Sequence, residues 1–262
     1  MNTDPFHFDS YFAQMPTGPI LGPLFASAQK PWEPLAGLSK AIEAAFEGAK
    51  PQGALLAYRR TDSPERGYQQ RQTEVLKEDL IDPELMVFIG KGTLVEAGAT
   101  IKERVWIEGG CQVRQGAYIR GNFFGGQGSV VGHVTEVKNA IFIRHVEAGH
   151  FAYIGDSILG SAVNLGAGTK ISNLEFRSAK DKFEENFPPM NLIYQGKPLA
   201  TGLSKFGALI GDGVETGCNS VLSPLVFLGR ESWVLPNLSV LKGLYPPGSK
   251  LYKLADCKAC RL

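Results

Sequence analysis

The sequence predicts an all-β chain, a left-handed parallel β-helix assembled from hexapeptide repeats and preceded by a short N-terminal helical extension. Three observations carry this. Aliphatic residues recur at intervals of six, at Ile89, Val95, Ile101, Ile107, Val113 and Ile119, a period that neither an amphipathic helix nor an ordinary strand has reason to keep. Small residues fall near the corners, as in Ile89-Gly90, Gly98-Ala99, Gly109-Gly110 and Gly116-Ala117, where they spare a sharp turn its steric cost. The chain holds 31 glycines in 262 residues, above the usual share of about 7% and without collagen's period of three, so frequent tight corners are the use they suggest.

The elements follow in order. Over residues 1–84, Leu35, Leu38, Ile42 and Phe46 lie on one helical face, and Gly48 with Pro51 stops the segment. This extension is expected to cap the first coil, because a bare end leaves strand edges and core open. The repeat domain is expected over residues 85–245. Its phase resumes after Gly125 at Val131, Val137 and Ile143, slips beside His150, and returns at Ile154, Leu159, Leu165 and Ile171. Such a break marks a strained or functional place. A third run, Ile210, Leu222, Leu228, Val234 and Val240, skips only Thr216. Between the runs, residues 175–205 are charged, contain Pro188 and Pro189, and lack the hexad, which predicts a long excursion from the coil. Residues 246–262 are expected to form a C-terminal tail, serving as a cap or as an arm to a neighbour.

A formal charge of +1 offers no broad field for nucleic acid or an anionic membrane, so any phosphate binding must be local. The first residues carry no secretory pattern and no apolar stretch reaches membrane-spanning length, giving a cytoplasmic chain as the expectation. Cys111, Cys218, Cys257 and Cys260 are too scattered for a disulfide framework. The single C-x-x-C of Cys257 and Cys260 lacks the second ligand pair that a zinc site needs.

Chemistry concentrates in GHVTEVKNA, AGHFAYIGDS and NLGAGTKISNL, between residues 132 and 174. Arg120 and Lys138 stand 18 residues apart, three hexads and hence one coil. They should stack about 4.8 Å apart at the backbone, where Arg supplies a planar fork and Lys a point charge for a phosphate. An imidazole such as His150, with a reference pKa near 6.5, suits proton exchange near neutrality.

In their order and spacing these motifs resemble the acyltransferase domain of bacterial N-acetylglucosamine-1-phosphate uridyltransferase/glucosamine-1-phosphate acetyltransferase, and are similar to the C-terminal domains of archaeal sugar-1-phosphate nucleotidylyltransferases. The resemblance implies an acyl-CoA-dependent N-acyltransferase acting on an amino-sugar phosphate such as glucosamine-1-phosphate. It implies acetyl-CoA or another acyl-CoA as cosubstrate and requires no tightly bound metal. It makes His150 the base that takes a proton from the sugar amine, Arg120 and Lys138 the phosphate anchor, and Tyr153, Asn164 and Asn173 the sugar contacts. The Ala167 amide would lie near the thioester, and Lys180 is a candidate for a CoA phosphate. A homotrimer with clefts between chains is implied. Leu174 stands where the bacterial enzyme has a tyrosine, which puts identity with its sugar specificity in doubt. Residues 1–84 contain no glycine-rich nucleotide loop and are too few for a nucleotidyltransferase domain, so such a subunit would be a separate partner.

Two other functions compete. A nonenzymatic sugar-phosphate sensor would retain the anchor without turnover. A zinc enzyme similar to γ-carbonic anhydrase would use His133, His145 and His150, although His133 lies only 12 residues before His145.

Overall fold

The computed structural model describes residues 6–253, so Cys257 and Cys260 lie outside the described residues. Short strands wind a left-handed parallel β-solenoid of about nine turns. Each coil lays one strand on each of three faces. The first face begins with Val87–Ile89, the second with Leu94–Val95 and the third with Thr100–Lys102. Parallel pairing then stacks each strand on its counterpart in the next coil, as Ile89 on Ile107, Val95 on Val113 and Ile101 on Ile119.

The hexad residues point inward. Ile89, Val95, Ile101, Val113 and Ile119 are buried in one continuous core, which is the main source of stability, at about 1.5–3 kcal/mol for each fully buried aliphatic side chain. Thr216, skipped by the aliphatic pattern, also faces in. Its hydroxyl meets that of Thr169 at 2.8 Å and accepts from the Gly166 amide at 3.2 Å, so the polar residue is satisfied by its stacked neighbour. Gly125 takes another inward position, where the Phe123 ring would meet any Cβ and Phe123 packs edge-on against Phe142 at 5.1 Å.

Two expectations are corrected inside the coil. Phe142, paired with Gly125 and Leu159, occupies the inward position, and Ile143 is only half-buried. The phase slip lies elsewhere than beside His150, where Ala148 keeps the step and stacks on Val131. It falls at the corners Lys138-Asn139 and Gly155-Asp156, where five residues instead of six separate Val137 from Phe142 and Ile154 from Leu159. There the chain runs as unbroken strands, Glu136–Arg144 and Tyr153–Ser161, from the third face onto the first.

The N-terminal helices do not cap the first coil. Helices α1 (Leu21–Ser27) and α2 (Pro34–Ala45) lie along the first face, where Leu38, Ile42, Phe25 and Trp32 form a second core with Phe124, Ile141, Ile158 and Phe227. The cause is visible in strands such as VFI, VWI and FFG, apolar on both sides, which demand cover on the outside as well as the inside. Pro34 starts α2, and Gly48 at φ 72° lets the chain turn away after it.

The open end is closed by a coil wound backwards. Gly67–Gln70, Glu74–Val75 and Leu80–Asp82 pair antiparallel with the first strands of the third, second and first faces, while Leu76, Leu80 and Leu85 plug the core. Residue 84 is therefore not a core boundary. At the other end the ladder continues to Lys250–Leu251, paired with Trp233–Val234, beyond the expected limit at 245. Between Ile171 and Ala208 the chain leaves the coil and forms helix α3 (Ala179–Phe183) and the hairpin Asn191–Tyr194 with Lys197–Ala200. Among the described residues no helix is long and apolar enough to cross a membrane.

Candidate functional site

The two shortened corners gather a polar cluster on the third face. Register places Tyr118 beneath Glu136 and Glu136 beneath Tyr153, so Arg120, two residues beyond Tyr118, stands beneath Lys138. Arg120 Nη1 donates to Glu136 at 2.8 Å, and that hydrogen bond raises its pKa further. Lys138 lies 3.7 Å from Asp156. Above Lys138 the column reaches Gly155, whose missing side chain leaves the space that the Tyr153 hydroxyl and the Asn173 amide border.

Asp156 ties this group together. Its side chain is buried, Asn139 Nδ2 donates to Oδ1 at 2.7 Å, and Asn173 Nδ2 donates to Oδ2. Tyr153 in turn meets Asn173 at 3.5 Å. Burial pushes the Tyr153 phenol up, and the carboxylates of Glu136 and Asp156 add to the shift, so the hydroxyl stays a neutral donor at working pH. Asn139 and Asp156 hold φ values of 49° and 46°, a left-handed conformation that Asn and Asp adopt more readily than other side chains.

His150, Ala167 and Asn164 stand on the second face and at its corner with the third. His150 pairs with His133 one coil below, and its carbonyl accepts from the Gly168 amide at 2.9 Å, which puts Ala167 one coil above. The His133 ring is committed to the Gln115 carbonyl at 3.0 Å. Among the described residues the exposed His150 ring makes no hydrogen bond. The Ala167 amide donates to no carbonyl among the described residues, whereas corner amides at Gln115 and Gln127 are taken by Glu96 and Glu108. Asn164 is exposed between Glu147 and Glu215.

The corner itself is strained. Its column holds Gly98, Gly116, Gly168, Asn219 and Asn237, all at positive φ, yet beside the two histidines it holds Val134 and Phe151, at 52° and 50°. Both are about half exposed, at 53% and 52%. A β-branched residue in this conformation is an outlier, and such strain collects at functional places.

The structure thus brings Arg120, Lys138, Tyr153 and Asn173 together on one face and sets His150, Ala167 and Asn164 around the corner. It does not bring Lys180 to either group. Lys180 is 79% exposed on α3, with Glu184 at 4.0 Å. His145 stands at the opposite corner of the second face from His133 and His150, and among the described residues no group of three His, Cys, Asp or Glu side chains is placed to hold a metal. Sequence reasoning missed Glu136, Asn139 and Asp156. Asp156 lay within the quoted AGHFAYIGDS, and the shortened step was the signal that could have singled it out. Cys111 is buried, and burial pushes its thiol up to about 11, which leaves it a packing residue.

No family model matches the chain. Relatives do. The chain is 35% identical over 128 residues to the bifunctional protein GlmU of Methanococcus vannielii, across 49% of this chain and 28% of that protein. It is 32% identical over 164 residues to the bifunctional sugar-1-phosphate nucleotidylyltransferase/acetyltransferase of Sulfurisphaera tokodaii, across 56% and 39%. It is 29% identical over 165 residues to GlmU of Cyanothece sp., across 60% and 31%. The chain therefore spans less than two fifths of the length of each of these relatives. Built as a β-solenoid of the hexapeptide-repeat kind, the chain is a homologue of GlmU and of sugar-1-phosphate nucleotidylyltransferase/acetyltransferase proteins.

Proposed function

We propose that the chain transfers an acetyl group from acetyl-CoA to the amine of an amino-sugar phosphate. The observation that carries this reading is the ordered pair of groups about one corner, Arg120 and Lys138 stacked beside Tyr153 and Asn173 on one face and the exposed His150 imidazole one coil from the Ala167 amide on the next. The names of the relatives, which include an acetyltransferase, support the same chemistry.

Arg120 and Lys138 hold the phosphate, and Tyr153 and Asn173 orient the ring. His150 takes the proton that the amine loses as it attacks the thioester carbonyl, and the same proton can pass to the departing thiolate sulfur. An amide such as that of Ala167 stabilises the oxyanion formed between the two steps. Because these groups occupy two faces of one prism, a ligand touching all of them must bend round Phe151 or lie between chains, which supports a trimer with shared clefts.

The test is thiol release from acetyl-CoA with glucosamine-1-phosphate, read together with sugar-phosphate binding. His150→Ala lowers turnover by about 10²- to 10⁴-fold with a small change in affinity. Arg120→Ala and Lys138→Ala weaken binding of the phosphorylated sugar and discriminate far less against the unphosphorylated one. Binding without thiol release in the wild type would make the protein a sensor instead, and unchanged turnover in His150→Ala would remove the proposed base.

A further inference from the structure

The cationic column does not stop at the phosphate anchor. Ile101 pairs with Ile119 and Ile119 with Val137, so the next residues, Lys102, Arg120 and Lys138, stand one above another. With adjacent strands about 4.8 Å apart, they line roughly 10 Å of one edge. Below Lys102 the column reaches Gly67, where a Cβ would collide with the Ile101 backbone, so no side chain closes the row.

Beside this row the loop carrying Ser63 and Pro64 borders an open recess of about 190 Å³ lined also by Arg66, Lys102, Arg104 and Arg120. Glu103 is its one carboxylate. Arg66 uses each of its three nitrogens, donating to Glu103, the Thr61 carbonyl and the Glu84 carbonyl at 2.6–3.0 Å. Lys102 and Arg120 are held differently, each at 2.8 Å from a surface glutamate, Glu65 and Glu136, which can swing into water when an anion replaces it. Arg104 and Asn122 also line the recess, and their Nε and Oδ1 atoms are buried with no hydrogen-bond partner among the described residues. Sharing Lys102 and Tyr118 with it, a second cavity of about 180 Å³ is lined by Arg60, Gln69 and Thr100. Tyr118, 39% exposed, stands at the junction.

A single phosphate seated on Arg120 and Lys138 leaves Lys102 and this recess unused. Resting on the transferase reading, we infer that the acceptor is an amino sugar carried on a nucleoside diphosphate. Its sugar-proximal phosphate lies on Lys138 and Arg120 and its second phosphate on Arg120 and Lys102 in the recess. The nucleoside extends into the neighbouring cavity, where the Tyr118 ring offers a face for the base. The hairpin in which Ala57–Arg60 pairs antiparallel with Gly67–Gln70, and which supplies Arg60, Ser63, Pro64 and Gln69, is then part of the acceptor site.

Calorimetric titration of the full chain with UDP-glucosamine and with glucosamine-1-phosphate, alongside thiol release from acetyl-CoA with each, tests this. The wild type binds and turns over the diphosphate-linked sugar at least about tenfold better. Lys102→Met, which keeps the apolar stem, weakens UDP-glucosamine by about tenfold and glucosamine-1-phosphate by no more than about twofold, whereas Lys138→Met weakens both. Tyr118→Ala, at an exposed side chain, reads the same preference should Lys102→Met fail to fold, and thermal melting identifies that failure. Equal affinity of the wild type for the two ligands, or equal losses in Lys102→Met, overturns the inference and leaves the transferase reading standing. No thiol release with either sugar overturns both.

Discussion

Asp156 does the work of three contacts with one carboxylate. It receives Asn139 and Asn173 and faces Lys138, and its left-handed backbone aims it at all of them from the corner. Asp156→Asn keeps the size and tolerates the conformation but presents an NH₂ where only acceptors fit, so one of the two asparagine donors loses its partner. The expected result is a loss of about 1–3 kcal/mol in stability, read by urea unfolding, and a fall in turnover of about tenfold as Asn173 and Tyr153 lose their orientation. Competition by inorganic phosphate, which reads Arg120 and Lys138, holds within about twofold. At this scale the sequence singled out the candidate binding residues and passed over the side chains that the coil packs against them. His150, Lys138 and Tyr153 sit in motifs whose spacing announces them, while Asp156 and Glu136 look like surface acids until the coil places them beside the cations.

The backward coil holds a carboxylate, Asp82, that ties its stability to pH. Arg59 grips Asp82 through Nε at 2.6 Å and Nη2 at 3.0 Å, and the Tyr68 hydroxyl donates to the same carboxylate at 2.6 Å. Burial pushes the Asp82 carboxyl up, but these hydrogen bonds, the Leu85 amide and the guanidinium charge outweigh it and hold it below its usual value of 3.8. The unfolded chain therefore takes up the proton before the folded one. Stability from Asp82 is complete above about pH 5 and is lost as pH falls through the carboxylate range. Asp82→Asn is expected to cost about 1–3 kcal/mol at pH 7 and progressively less as pH falls through the carboxylate range, so urea midpoints of wild type and variant should converge on acidification. The coil itself was illegible as such, since antiparallel return strands of two to four residues leave no hexad. The misplaced helix was legible in principle. Phe88, Trp106, Phe124, Ile141 and Ile158 are outward neighbours of inward residues, a second apolar row that a cap at one end could never cover.

At the scale of the whole molecule the period of six was enough to predict the solenoid, because every coil repeats one packing solution and errors in phase do not accumulate. Its partners are less legible, since an outward residue looks alike whether it faces water or a neighbouring chain. Three chains of 28.4 kDa give a particle of about 85 kDa, and sedimentation at assay concentration should find that species. A monomer alone would remove the shared clefts. The left-handed ridge of Val134 and Phe151, beside the candidate base, is the apolar surface that such an assembly would cover, and it accounts for tolerating strain where Gly or Asn would relax it.

The shortened corners bear on how such a prism can vary. Both lengths of corner are compatible with the core, because Arg120-Gly121-Asn122 spans with three residues the gap that Lys138-Asn139 spans with two. Beyond the shortened corner inward and outward positions both return to step, as Phe123 on Ala140, Phe124 on Ile141 and Gly125 on Phe142 show. The ladder is thus indifferent to a change of length that the polar cluster is not, and a single residue gained at Asn139 would disturb its hold on Asp156 while leaving the coils above in step.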